Sequence, residues 1–345
     1  MKEKQRRSER WPIIGNEHIV EYLDRILKKE EISGSYIFLG PQNLGKTTLA
    51  YALARNVLCE SGKENKEVPC GECISCRQMG HMKGEGGQEG VHEGFEVVHG
   101  DFHLIKKEEG KKNISIEQVR EFIKTLGMSS FLNSYKIGVV KDAESLSIEA
   151  SNALLKTLEE PKNKVVIVLI ASSLENTPDT IVSRSQVLNF YPVRLGALYD
   201  HLLERYNINR TTAKNLSHLS LGRPALARKF LENEDFYQEY ITRAKTFLDF
   251  FNNTINNRLL SIENIMGKEA SGQGNVKSSL GIIECWMGIV RDLILFHSGN
   301  ESYIQHEVFS QNLEKLQEEF SYRELLDMYQ ILKKGKEEVR ANVNP

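Results

Sequence analysis

Apolar residues follow two rhythms along this chain, and the change between them falls near residue 192. Before it, short continuous apolar runs alternate with stretches whose apolar residues recur at helical spacing. Tyr36-Ile37-Phe38-Leu39, Lys136-Ile137-Gly138-Val139-Val140, residues 165–170 and residues 186–190 read as strands, with Phe95-Glu96-Val97-Val98 as a further one. The run at 165–170 holds no polar residue, as expected of a strand covered on both faces. Residues 16–29 predict an amphipathic helix with Ile19, Tyr22, Leu23, Ile26 and Leu27 on one face and Asn16 as its N-cap. Ser115-Ile116-Glu117-Gln118 is a capping box, opening a helix with Ile116, Val119, Phe122, Ile123 and Leu126 inward and Gly127 at its end. Residues 147–160 form a third such stretch, stopped by Pro161. Strands alternating with helices predict a three-layer α/β domain with a mainly parallel sheet.

After Pro192 the strand signal stops. Residues 195–206, 211–219 and 224–232 read as three short helices, with Gly222-Arg223-Pro224 as the turn into the third. From Phe236 onward the pattern is helical, broken at Ser271-Gly272-Gln273-Gly274. No repeat of solenoid type is present.

Length and charge narrow the class. At 345 residues the chain is too long for one small core, which predicts two or three domains. A net charge of −2 gives no global basic field of the kind that announces nucleic acid. The longest apolar run, 165–171, is far short of a membrane span. The basic stretch 2–10 leads into no apolar signal-peptide core, so a cytoplasmic protein is expected. Cysteines in a reducing compartment point to metal or free thiols rather than disulfides.

Candidate chemistry centres on Gly40-Pro41-Gln42-Asn43-Leu44-Gly45-Lys46-Thr47, which fits the P-loop pattern G-x-x-x-x-G-K-[ST]. A strand precedes it and helix formers follow, the order the motif needs. Glycines let successive N–H groups turn toward a phosphate, Lys46 brings charge to it, and Thr47 offers a hydroxyl to Mg²⁺. A second cluster lies just beyond. Cys59, Cys70, Cys73 and Cys76 fall within residues 59–76, three of them as C-x-x-C-x-x-C. Four soft ligands suit tetrahedral Zn²⁺, and an iron–sulfur cluster also favours closely spaced cysteines. No position is left open, so the site reads as structural. Cys285 lies in an apolar helical pattern and reads as a core residue. Residues 80–94 are rich in Gly, Glu and His and read as a flexible insert, with His81 and His92 as solvated loop residues. The charged stretch 106–112 reads as a solvated loop.

In this order, the stretches resemble the clamp-loader family of AAA+ proteins, and within it the bacterial DNA polymerase III clamp-loader subunits. The resemblance rests on the P-loop, the four-cysteine module, His99-Gly100-Asp101, Ser151-Asn152-Ala153-Leu154-Leu155-Lys156-Thr157-Leu158-Glu159-Glu160-Pro161 and Thr180-Ile181-Val182-Ser183-Arg184. It covers residues ~11 to ~230, and Asn342-Val343-Asn344-Pro345 resembles a C-terminal signature of the family. It implies an α/β P-loop AAA+ core over 1–194 with an inserted zinc module at 59–76. A small helical lid over 195–234 and an all-α oligomerisation collar over 235–345 would follow. It implies ATP with Mg²⁺ held by Gly40, Gly45, Lys46, Thr47, Thr48, Asp142 and Arg223, and Zn²⁺ on the four cysteines. It implies a hetero-pentamer with other clamp-loader subunits that opens the sliding clamp and places it on primed DNA. Arg184 would then be an arginine finger, supplied in trans to a neighbour's ATP. Two departures leave the finger untouched: Ser185 where the family usually has Cys, and Gly100 where Pro is common.

The acidic motif on the third main strand separates motor from stator. An active ATPase places an Asp and a following Glu there to hold the Mg²⁺ shell and activate water. Here those positions are Lys141 and Asp142. Slipping one residue makes Asp142 the metal carboxylate and offers Glu144 as base, but leaves Ala143 in the base position. The pattern resembles the delta-prime subunit, with degraded hydrolytic motifs but an intact P-loop, more than the gamma/tau motor. A stand-alone P-loop phosphotransferase with a zinc module is the alternative of a different class, disfavoured by the 151–161 run and the helical last third.

Overall fold

The computed structural model describes residues 10–32, 34–61, 69–80, 99–108, 111, 113–130, 135–160, 164–175, 177–266 and 273–341. The expected strand at 95–98, His81, His92 and most of the 80–94 insert, Pro161, Ser271-Gly272 and residues 342–345 lie outside them. So do residues 2–9 of the basic stretch. The chain divides into two compact units, Met1–Val193 and Arg194–Pro345.

In the first unit, β4 (Val165–Ala171) is buried at every position, as a charge-free run must be when helices cover both faces of a sheet. Its neighbours are β1 (Gly34–Leu39) on one side and β3 (Lys136–Lys141) on the other. The edges are β5 (Gln186–Asn189), beside β1, and β2 (Phe102–Ile105), beside β3. All four pairings are parallel. Period-two alternation sends Val166, Val168 and Ile170 into one core and Ile167 and Leu169 into the other. The first core takes α1 (Glu17–Lys28) and α2 (Lys46–Leu58), and the second takes α4 (Ile116–Leu126) and α5 (Ile148–Glu159). A short α3 (Ile74–Met79) and the single turn α6 (Asp179–Val182) complete the unit. Three layers around a parallel sheet are as the alternating pattern predicts.

Local signals hold at the starts of α4 and α5. Ser115 and Gln118 form the reciprocal capping box, and Ser147 Oγ accepts from Ala150 N at the start of α5. Asn16 departs from expectation. It sits in the left-handed region (φ 56°) and makes no side-chain cap for α1. Its amide instead accepts from Tyr191 N at 2.7 Å and donates to Tyr191 O at 3.1 Å. A partner 175 residues away outcompetes the local cap, and it ties α1 to the segment after β5. Strand β2 was missed altogether. It is an edge strand with three half-buried positions, His103 among them, so its apolar run is short. Its entry is fixed by Asp101, 1% exposed, which faces Lys136 Nζ at 3.7 Å and accepts from Ser130 Oγ at 2.7 Å. His99 Nδ1 accepts from Asp101 N, so the His99-Gly100-Asp101 motif builds the root of an edge strand.

The second unit is helical: α7 (Leu195–Tyr206), α8 (Arg210–Leu219), α9 (Pro224–Glu232), α10 (Glu234–Phe250), α11 (Ile255–Met266), α12 (Gln273–His297), α13 (Ser310–Gln317) and α14 (Tyr322–Arg340). Gln273 and Gly274, expected in a break, begin α12. A break the sequence pattern did not reveal separates α10 from α11. Cys285 is a core residue, 1% exposed, and burial pushes its thiol up to about 12. None of the described helices is long and apolar enough to cross a membrane.

A buried polar hub pins this unit. The Asp292 carboxylate, fully buried, accepts from the backbone N–H groups of Gln305 and His306 and from His306 Nδ1 at 2.8 Å. His306 Nε2 meets the hydroxyl of Tyr240 at 2.9 Å; burial raises that phenol's pKa well above its usual value, so it stays a donor. Gln305 Nε2 donates to Leu219 O, joining α8 to the same hub. His306→Ala should therefore strand part of a buried carboxylate and lower the stability measured by chemical denaturation by about 3 kcal/mol. A loss below about 1 kcal/mol would show that the remaining donors satisfy Asp292 without it.

Candidate nucleotide site and cysteine cluster

The loop between β1 and α2 is held at its root by the sheet. Gly40 N donates to Ala171 O of β4 at 3.2 Å, and Phe190 N donates to Leu39 O at 2.7 Å. Gly40 has φ +145°, and a Cβ there would lie 2.4 Å from Phe190 O, so no other residue fits. Gly45, at φ +88°, caps α2 in the left-handed region. No acidic residue occupies the first turn of α2, where Lys46, Thr47 and Thr48 lie and where N–H groups lack intrahelical partners. The positive end of the helix dipole thus faces the loop with no acidic side chain of its own turn to offset it. An anion such as a phosphate can be received there.

Lys46 is 6% exposed. Its ammonium donates to Pro41 O at 2.7 Å and to Gly40 O, curling back onto its own loop. Burial lowers its pKa from 10.5 to about 8, opposed by the negative charges of Glu144 and Asp142. Both carboxylates therefore lie within electrostatic reach of this amine. Asp142 follows β3 with φ 57°, a left-handed turn that is costly for a side chain bearing a Cβ. Burial raises its carboxyl pKa, helped by Glu144 and opposed by Lys141, Lys107 and Lys46. Lys141 is the last residue of β3, paired with Ile170. The acidic position expected at the strand tip is thus filled by a cation, and the carboxylates come from the turn that follows.

Arg184 lies just past α6. Its Nε and Nη2 both engage Glu159 at the end of α5, and Nη1 donates to Thr180 O at 2.9 Å and Ser183 Oγ at 3.1 Å. Leu158, Glu159, Ser183 and Arg184 line an open surface cavity of about 430 Å³. The ion pair is one-third to one-half exposed, a setting in which such pairs contribute about 0–1 kcal/mol. The guanidinium is held at the surface by these contacts. Glu159 is a partner that the sequence motif contained without revealing. Arg223 lies in the second unit, at the start of α9, where its Nε donates to Ser220 O at 2.9 Å and burial lowers its pKa.

The four cysteines converge. The Sγ atoms of Cys59, Cys70, Cys73 and Cys76 all lie within 4.8 Å of one another. Thiolates about 2.3 Å from a tetrahedral ion sit roughly 3.8 Å apart, so the spread fits one metal. Backbone N–H groups already point at the sulfurs: Cys73 N to Cys70 Sγ at 3.4 Å, Cys76 N to Cys73 Sγ at 3.3 Å, and Cys70 N to Cys59 Sγ at 3.4 Å. A hydrogen bond from Ser61 leads in lowering Cys70 to about 6, whereas burial pushes Cys59 and Cys76 up. A bound cation is what would let all four ionise together.

Comparison with known proteins agrees with these features. A family profile described as "DNA polymerase III, delta subunit" matches residues 15–194. DNA polymerase III subunit delta' of Bacillus subtilis (strain 168) is 29% identical over 66% of this chain and 61% of its own length. Its counterpart in Haemophilus influenzae is 30% identical over 60% of this chain and 56% of its own length. DNA polymerase III subunit tau of B. subtilis is 23% identical over 96% of this chain and 58% of its own length. The chain thus spans about three-fifths of the length of these curated relatives. The matched region runs through the P-loop, the cysteine cluster and the Arg184 turn in one stretch, and the chain belongs to the DNA polymerase III, delta subunit family, among the clamp-loader AAA+ proteins that its motifs resemble.

Proposed function

We propose that this chain is a delta-prime-like clamp-loader subunit of DNA polymerase III. It binds ATP in the loop 40–47, turns it over slowly or not at all, and supplies Arg184 to the nucleotide of a neighbouring subunit. Its partners are other clamp-loader subunits in a hetero-pentamer, with the sliding clamp and primed DNA reached through the assembly. Within the second unit, 195–234 act as lid and 235–345 as collar. The observation that carries the reading is a well-formed phosphate loop beside a strand tip that ends in Lys141. Thr47 and Asp142 supply oxygen donors for Mg²⁺, whose charge would offset that of the phosphates. The four cysteines hold Zn²⁺ as a structural ion.

A gamma/tau-like motor is the second reading, favoured by a tau match that covers 96% of this chain. Robust ATP turnover by the isolated chain, lost in Lys46→Ala, would establish it. A stand-alone phosphotransferase has no such support, since the family match takes in the P-loop and cysteines together.

Lys46 sets a pH test. Its folded pKa of about 8 lies below the unfolded 10.5, so between those values the unfolded chain binds the extra proton. Stability should therefore rise with pH through that window. ATP affinity should fall as pH rises through about 8, where the amine loses its charge. Lys46→Met should abolish ATP binding and raise the ligand-free melting temperature at pH 7 by a few degrees, because the cost of a buried charge disappears.

Elemental analysis of purified protein should give about one zinc per chain, lost with Cys73→Ser. Iron with visible colour would overturn the zinc assignment.

In reconstituted loaders, Arg184→Ala should leave folding, metal content and assembly intact while lowering clamp- and DNA-stimulated ATPase. The loss should be partial, short of the roughly 10³-fold a single finger can supply, because other sites remain. Arg184→Lys should not restore it fully, since a point charge lacks the planar fork. Wild-type loading rates with Arg184→Ala would return Arg184 to a surface ion pair with Glu159.

A further inference from the structure

A cation at the tip of β3 leaves open which oxygen atoms would face a nucleotide-bound Mg²⁺. The turn after the strand answers this. Asp142 adopts φ 57°, Ser145 N donates to Asp142 O at 2.8 Å, and residues Ala143–Ser145 form a tight helical turn. That turn folds Glu144 back toward the sheet. Its Oε1 accepts from Ser172 N at 3.1 Å, just past the end of β4. The residue before, Ala171, accepts from Gly40 N, and Gly40 O in turn accepts from Lys46 Nζ. A run of hydrogen bonds around one strand tip therefore links the Glu144 carboxylate to the phosphate loop. Its second oxygen, Oε2, is buried and has no hydrogen-bond partner among the described residues. A buried carboxylate oxygen without a donor is costly unless a cation or water comes to it.

We infer that Glu144, beside Asp142, holds the hydration shell of a nucleotide-bound Mg²⁺, in place of the strand-tip position that Lys141 occupies. The inference rests on the nucleotide reading of the loop 40–47. Four features support it. Glu144 is fixed by a backbone donor, so its carboxylate is oriented. Its unpaired oxygen provides the hard donor that Mg²⁺ prefers, directly or through the waters it tends to keep. With Asp142 it brings two negative charges to the neighbourhood of Lys46, where Lys141 and Lys46 would otherwise make a site hostile to a divalent cation. And Glu at 144 lies outside the Asp-Glu position that the motor pattern uses, so the site is built by the turn and not by the strand.

The test is calorimetric titration of the full chain with ATP, with and without Mg²⁺. The wild type should bind ATP more tightly with Mg²⁺. Glu144→Gln keeps an oxygen for Ser172 N and should melt no lower than the wild type. It should reduce the Mg²⁺-dependent gain by roughly 10-fold or more, the usual cost of losing a carboxylate that orients a metal's ligands. Its Mg²⁺-free ATP affinity should stay the same or rise, because a negative charge near the phosphates has gone. Mn²⁺ bound in the presence of ATP, read by electron paramagnetic resonance, should weaken in parallel. If the wild type binds no ATP, both the nucleotide reading and this inference fall. If ATP binds, Lys46→Ala abolishes it and Glu144→Gln retains the full Mg²⁺ gain, the nucleotide reading stands and the role of Glu144 is wrong. A gain lost in Asp142→Asn but kept in Glu144→Gln would likewise overturn it, assigning the metal to Asp142 alone.

Discussion

The tip of the buried central strand β4 governs the site. Because β4 is apolar throughout and covered on both faces, its position in the sheet is fixed by two cores at once. Its last carbonyl, on Ala171, receives Gly40 N, and the next N–H, on Ser172, goes to Glu144. The phosphate loop and the acidic turn come from different connections of the chain, and both are registered against this one end. Gly40 tolerates no side chain because the loop is also pressed against the backbone after β5.

Electrostatics at that tip is a balance of few charges. Lys46 is buried and lowered toward neutrality by desolvation, and the two nearby carboxylates recover part of that cost. Lys141 adds positive charge where an active ATPase would place a carboxylate. The result suits anion binding better than water activation, which is the basis of the stator reading. Arg184 is organised on different terms. It sits on the surface in a partly exposed ion pair with Glu159.

Some of this was readable from one sequence because it is local. The P-loop spacing, the capping box at Ser115, the continuous apolar run of β4 and the closely spaced cysteines are each defined by neighbours in the chain. Asn16 shows the limit. Its residue type predicts an N-cap, yet its amide is taken by Tyr191 from the far end of the same unit. Strand β2 was missed because an edge strand with polar and half-buried positions carries little periodic signal, and its anchor, Asp101 with Lys136, is a pair that only folding assembles.

The sequence by itself determined the central strands and the helices that cover them, which loop can take a phosphate, and which thiols can share an ion, because backbone geometry and residue spacing set those. Tertiary structure decided the rest. It brought Glu144 to Ser172 at the β4 tip, gave Arg184 its partner in Glu159, and joined Asp292, His306 and Tyr240 into one buried hub. These pairings span from 14 to 66 positions of chain, apart in sequence and meeting only once the cores have closed. Charges and hydrogen-bonding groups carry no periodic signature of their partners, so no pattern along the chain could have announced them.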